Sequence, residues 1–152
     1  MQMTRILVGL DGSAPGERAL AHGKMLARLI GDCELILVYV IEWSPYEFHT
    51  PQELAERHMR REQELDQAHA HVLEPARKAT EAEGFKVETV VRHGDPVAIL
   101  EELAVSRGAA QIVVGRTGHR GMRERLFGGV SGRLIASASV PVTIIPETGA
   151  VQ

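Results

Sequence analysis

Five short apolar runs, separated by stretches of helical periodicity, organise the chain. Ile6, Leu7, Val8 and Leu10 form a nearly continuous run that stops at Asp11-Gly12-Ser13, the pattern of a strand buried on both faces of a parallel sheet. Ala19, Leu20, Leu26, Ala27 and Ile30 then recur at helical spacing. Ser13 is placed to cap that helix, Pro15 falls in its first turn, and Gly31-Asp32 closes it. Leu35 to Ile41 repeats the buried-strand pattern. From Pro51 to Glu83 the period is helical again, through Leu54, His58, Leu65, Ala68, Val72, Ala76 and Ala79. Pro75 lies inside it, and because an interior proline costs about 3 kcal/mol, a kink or a break is expected there.

Val87, Thr89 and Val91 alternate with Glu88, Val90 and Arg92, which suits a strand near the sheet edge. His93 to Pro96 reads as a turn, with Asp95 as N-cap and Pro96 at the first helical position; Ile99, Leu100, Leu103 and Ala104 give the next helix its buried side. Ile112 to Val114 is a fourth strand. Apolar periodicity returns at Val130, Leu134 and Ile135, and Val140 to Ile145 is the last strand, with Pro141 near its start and Pro146 at its end. Each crossover is long enough for a helix. The alternation therefore predicts a single-domain α/β fold, an open parallel five-stranded sheet with helices on both faces. Ligands of such sheets sit beyond the C-terminal strand ends, where the strand order reverses.

Composition narrows the partners. At 152 residues, 44% hydrophobic and 24% charged, the chain can bury a core and has the make-up of a soluble protein. Its formal charge of -3 argues against a general nucleic-acid binder, so small molecules or proteins are the expected partners. No run approaches the roughly 20 apolar residues needed to span a bilayer, and the apolar run after MQMTR is too short for a signal peptide; a cytoplasmic location is expected. Cys33 is the only cysteine, which excludes an intramolecular disulfide and a multi-cysteine zinc site; at a strand entrance it suits a small apolar role. His69 and His71 are two apart on a helix and face different sides, so neither they nor His58 suggest a metal site. Trp43, Pro45, Tyr46 and Phe48 cluster in a loop that either covers the sheet end, packs on a partner or borders a ligand pocket.

The chemistry concentrates in Gln111 to Ile135, a strand, a glycine-rich loop and a helix start. Unpaired N–H groups and a dipole worth about half a positive charge make a helix start attractive to anions, and glycines let backbone approach a phosphate. Arg116, Arg120, Arg123, Arg125 and Arg133 lie here against one acid, Glu124. Arg116 and Arg120, inside the loop, are the better phosphate candidates; the cluster equally suits a solvated or protein-binding face. There is no G-x-x-x-x-G-K-[ST], no G-x-G-x-x-G and no G-x-S-x-G. Asp11 ends the first strand either as a turn residue or as a ligand group.

Gly115, Gly118 and Gly128 fit the spacing glycine, two residues, glycine, nine residues, glycine, and with ILVGLDGS, Gly94-Asp95-Pro96 and VPVTIIP in order the chain resembles the ATP-binding subgroup of the universal stress protein family. The resemblance covers residues 1–146 as one nucleotide-binding domain, leaving 147–152 as a flexible tail, and goes with a Rossmann-like sheet of order 3-2-1-4-5. It implies ATP across the strand ends, with adenine near Gly9, Asp11 and the backbone of Val40. Ribose and phosphates would meet Gly115, Gly118 and the amides of Gly128, Gly129 and Val130. Mg²⁺ would accompany the phosphates, with Asp11 as its one candidate protein ligand. The resemblance also implies a homodimer joined through Val140 to Ile145. One position departs: the motif's final serine or threonine is Gly129, and Ser131, two residues on, either supplies a hydroxyl or caps the helix.

Three functions follow as expectations. The first is a non-catalytic ATP-binding stress-response or regulatory protein, since Ser13, Ser131 and Cys33 have no local motif naming a base. The second, which Gly129 favours, is a nucleotide-free dimeric interaction or signalling module. The third is a slow ATPase or nucleotidyl transferase, for which His119, Asp11 and Glu124 are the candidate acids or bases.

Overall fold

The computed structural model describes residues 3–42, 50–116 and 129–146. The aromatic loop at Trp43 to Phe48, the loop residues Gly118, His119, Arg120, Arg123, Glu124, Arg125 and Gly128, and the tail 147–152 lie outside the described residues. The chain runs β1 (Thr4–Leu10), α1 (Ala14–Ile30), β2 (Cys33–Glu42), α2 (Pro51–Ala68), a π turn (His69–Leu73), α3 (Glu74–Ala82), β3 (Lys86–Gly94), α4 (Pro96–Ser106), β4 (Gln111–Gly115), α5 (Val130–Ser137) and β5 (Val142–Ile145). The five strands pair in parallel in the order β3-β2-β1-β4-β5.

The buried strands read as unbroken apolar runs because successive side chains enter opposite layers. Leu7, Ile36, Val38, Ile112 and Val114 face one way, under Leu100 and Leu103 of α4 and Leu134 of α5. Ile6, Val8, Leu35, Leu37 and Val113 face the other way, under Ala19 and Ala27 of α1 and Leu73 of the π turn. Gly23 lets α1 approach closely, since a Cβ there would lie 2.9 Å from Cγ2 of Val8. Cys33 opens β2, is 6% exposed, and burial pushes its thiol pKa up. That is the small apolar role expected of it.

Three local expectations change, and the irregularity expected at Pro75 takes a specific form. Pro75 does not break the helix. Immediately before it the chain takes a π turn, with the Glu74 N–H donating to the His69 carbonyl, and Pro75 then falls in the first turn of α3, where its missing N–H costs nothing. Ser13 occupies the N-cap of α1 without capping it. His93 is strand rather than turn: it pairs in register with Ile41, and its Nε2 sits 3.1 Å from Oε2 of Glu64 on α2. The last strand begins at Val142, because Pro141 precedes it and lends only its carbonyl, to the Ile112 N–H at 2.9 Å.

Candidate functional site

Strand order reverses between β1 and β4, neighbours whose chains continue to opposite sides of the sheet. At their C-terminal ends two glycines set the spacing. A Cβ on Gly9 would lie 3.1 Å from Cγ1 of Val114, and one on Gly115 would fall on the Pro15 carbonyl, 2.8 Å from the Pro15 Cβ. Gly115 thus lets the start of α1 press against the end of β4.

The cleft left there has an apolar wall and a polar rim. Val38, Val40, Leu100, Val114 and Val130 form the wall; Gly9, Asp11, Gly115, Glu42 and Pro96 stand around it. Its cavity volume of about 140 Å³ is below the ~300–1,000 Å³ usual for small-molecule sites. A larger groove, of about 550 Å³, opens on the other face between α1 and the π turn, beside Leu20, Val72 and Ala76. Size favours the groove. The position of the smaller cleft at the strand-order reversal, where open α/β sheets take ligands, favours the cleft.

Asp11 is exposed at the rim. Its Oδ1 accepts the Ser13 backbone N–H at 2.9 Å and also the Ser13 hydroxyl. This explains the missing cap: the hydroxyl that would have capped α1 is turned back to hold Asp11. Across the cleft, α5 starts at Gly129, its N-cap, with extended backbone (φ -74°, ψ 157°) and no side-chain cap. Ser131 therefore does not cap α5; it sits half-buried within the first turn.

The arginines divide. Arg116 places its backbone N–H on the Ile145 carbonyl at 2.9 Å, which ties the loop's first residue to β5. Arg133 is not available to an anion in this arrangement, because its guanidinium grips both carboxylate oxygens of Asp95, at 2.8 and 2.9 Å. Asp95 in turn caps α4, accepting the Ala98 N–H at 3.0 Å. The Arg133 hydrogen bonds hold the Asp95 carboxyl below its ordinary pKa, and the same bonds raise that of Arg133.

Of the residues expected from sequence, Gly9, Asp11, Val40, Gly115 and Val130 come together around the cleft. Gly129 immediately precedes Val130, whereas the side chains of Arg116 and Ser131 are not part of the lining. Gly118 and Gly128 lie outside the described residues. Glu42 was missed. Ending β2 at Ile41 stopped the strand one residue early, while the alternation Val38, Val40, Glu42 carries the signal that would have placed it on the cleft side. Among the described residues no three His, Cys, Asp or Glu side chains lie close enough to hold a metal, and no described helix is long and apolar enough to cross a membrane.

Known proteins share this fold. The model of the Universal stress protein family matches residues 3–146. A universal stress protein of Methanocaldococcus jannaschii, MJ0531, is 29% identical over 143 residues, covering 94% of this chain and 82% of its own. Among solved structures, the hypothetical protein MJ0577 superposes with a TM-score of 0.77 at 25% identity, covering 99% of this chain and all of its own. A universal stress protein in complex with cAMP superposes with a TM-score of 0.69 at 23% identity, covering 93% and 96% of the two chains.

Proposed function

The chain belongs to the universal stress protein family, and from that premise we propose that it is a non-catalytic regulatory protein that binds an adenine nucleotide, ATP with Mg²⁺, in the cleft at the ends of β1 and β4, and works as a homodimer. One observation carries the reading: Gly9, Asp11, Val40, Gly115 and Val130, far apart in sequence, border a single cleft at the strand-order reversal. The apolar wall suits a base, and the start of α5 offers N–H groups free of any side-chain cap to phosphate. The cAMP complex of a protein with the same fold lends support to an adenine ligand. Asp11 is the one carboxylate we assign to the ion, whose other ligands would be phosphate oxygens and water. The dimer would form along β5, an edge strand whose only partner among the described residues is β4.

Gly129 favours a second reading, a dimeric interaction module without nucleotide, because it removes the side-chain hydroxyl that the motif puts at the start of α5. Purification without added nucleotide, mass spectrometry of the denatured protein, and titration of ATP with and without Mg²⁺ separate the two. Release of an adenine nucleotide, or saturable ATP binding weakened by Asp11→Ala, supports the first reading. A protein that releases none and binds none is the interaction module. Turnover of ATP would contradict the non-catalytic role.

A further inference from the structure

Glu42 ends β2 on the same side as Val38 and Val40, since residues two apart in a strand share a face. It stands at the rim of the cleft whose wall those valines help to build. The side chain is exposed and takes neither a hydrogen bond nor an ion pair from a described residue. Arg133 has both arms on Asp95 and makes no hydrogen bond to Glu42. An apolar slot therefore carries at its rim a carboxylate that no described residue pairs.

An ionised carboxylate can only accept hydrogen bonds. Facing an exocyclic amine it gains a charge-assisted bond; facing a carbonyl oxygen it meets a second acceptor and is repelled. Resting on the nucleotide reading above, we propose that Glu42 is the base-selecting residue of this cleft, accepting a hydrogen bond from the 6-amino group of adenine and disfavouring 6-oxo purines. The side chains of Val38 and Val40 stack the base without distinguishing one purine from another. Because Glu42 is exposed to water, its preference is modest, roughly tenfold for ATP over ITP.

Glu42→Gln tests this directly, because an amide can accept from an amine or donate to a carbonyl oxygen. ATP, ITP, adenosine and inosine are titrated against the full chain and the variant by calorimetry, with melting temperature as a check on folding. Expected are an unchanged melting temperature and a fall of the ATP-to-ITP affinity ratio to about one, with the adenosine-to-inosine ratio falling in parallel. An unchanged ratio in a variant that still binds ATP overturns the base-selecting role and leaves the nucleotide reading standing. A loss shared equally by ATP and ITP in Mg²⁺, with adenosine unaffected, assigns Glu42 to the metal and overturns the proposal. If the unmodified chain binds no purine nucleotide or nucleoside, both readings fall.

Discussion

Asp11 and Ser13 are locked to each other across one turn: the Oδ1 of Asp11 takes both the Ser13 N–H, at 2.9 Å, and the Ser13 hydroxyl. The second carboxylate oxygen is left without a partner among the described residues. Removing the hydroxyl by Ser13→Ala frees the carboxylate to rotate. Loss of one hydrogen bond of this kind costs about 1 kcal/mol, so ATP affinity should fall about fivefold and stability by a similar free energy. Calorimetric titration and urea denaturation read the two effects. Ser13→Thr, which keeps the hydroxyl, should restore affinity; if it does not, the hydroxyl is not what positions Asp11.

Gly115 is glycine first for packing. An added Cβ would fall on the Pro15 carbonyl, a backbone group that cannot swing aside. Gly115→Ala should destabilise the fold by about 1–3 kcal/mol, the usual range for overpacking, in the absence of any nucleotide. Urea unfolding of the nucleotide-free protein measures it. A neutral substitution would mean that α1 and β4 can separate without cost.

The fold was legible because its determinants are local and redundant. The runs around Ile6 to Leu10, Leu35 to Ile41 and Ile112 to Val114 are too apolar and too short for anything but strands buried on both faces, and the capping pair Asp95-Pro96 fixes where α4 starts. What escaped depends on relations that no local window contains. Pro75 forbids a regular helical bond but says nothing of whether a π turn will absorb it. Ser13 has two partners within reach, the first-turn N–H groups of α1, from which its oxygen would accept, and the Asp11 carboxylate, to which its hydroxyl donates, and only the folded turn decides between them. Arg133 looked like one of five loop cations until the fold brought Asp95, 38 positions away, into its grip.

The Asp95–Arg133 pair makes stability depend on acid. The Arg133 hydrogen bonds depress the Asp95 pKa in the folded state, so the stability that ionised Asp95 contributes is complete above the ordinary aspartate value of about 3.9 and is lost as pH falls through the lower folded value. Arg133 stays charged throughout this window. Asp95→Asn should cost about 1 kcal/mol at neutral pH, mostly from the lost ion pair because asparagine still caps. The gap between the variant and the unmodified chain should shrink as pH falls below about 4. Thermal melts over that range test it, and a gap that stays constant would detach Asp95 from the acid response.

The two sides of β5 are chemically distinct. The Pro141 and Ile145 carbonyls accept the N–H groups of Ile112 in β4 and of Arg116 just after it, at 2.9 Å each, so Val142 and Ile144 turn their backbone groups to the open edge. Ile144→Pro removes one outward N–H while leaving the bonds to β4 in place. Sedimentation should show a dimer for the unmodified chain and for Ile144→Val, and a monomer for Ile144→Pro. A proline variant that remains dimeric would place the contact somewhere other than this edge.

Gly129 offers a gain-of-function test. Its backbone, φ -74° and ψ 157°, is open to any residue, and it stands at the N-cap of α5, where serine is preferred over glycine. Gly129→Ser would put a hydroxyl oxygen within reach of the first-turn N–H groups and, when a nucleotide is present, a hydroxyl donor beside its phosphate. The cap alone is worth a few tenths of a kcal/mol, so the melting temperature should rise slightly without ligand. A phosphate contact is worth more, about 1 kcal/mol, so ATP affinity should rise about fivefold while adenosine affinity stays the same. That contrast separates the two roles of the hydroxyl: a variant that gains stability but binds ATP no better has a serine that caps the helix and never reaches the phosphate.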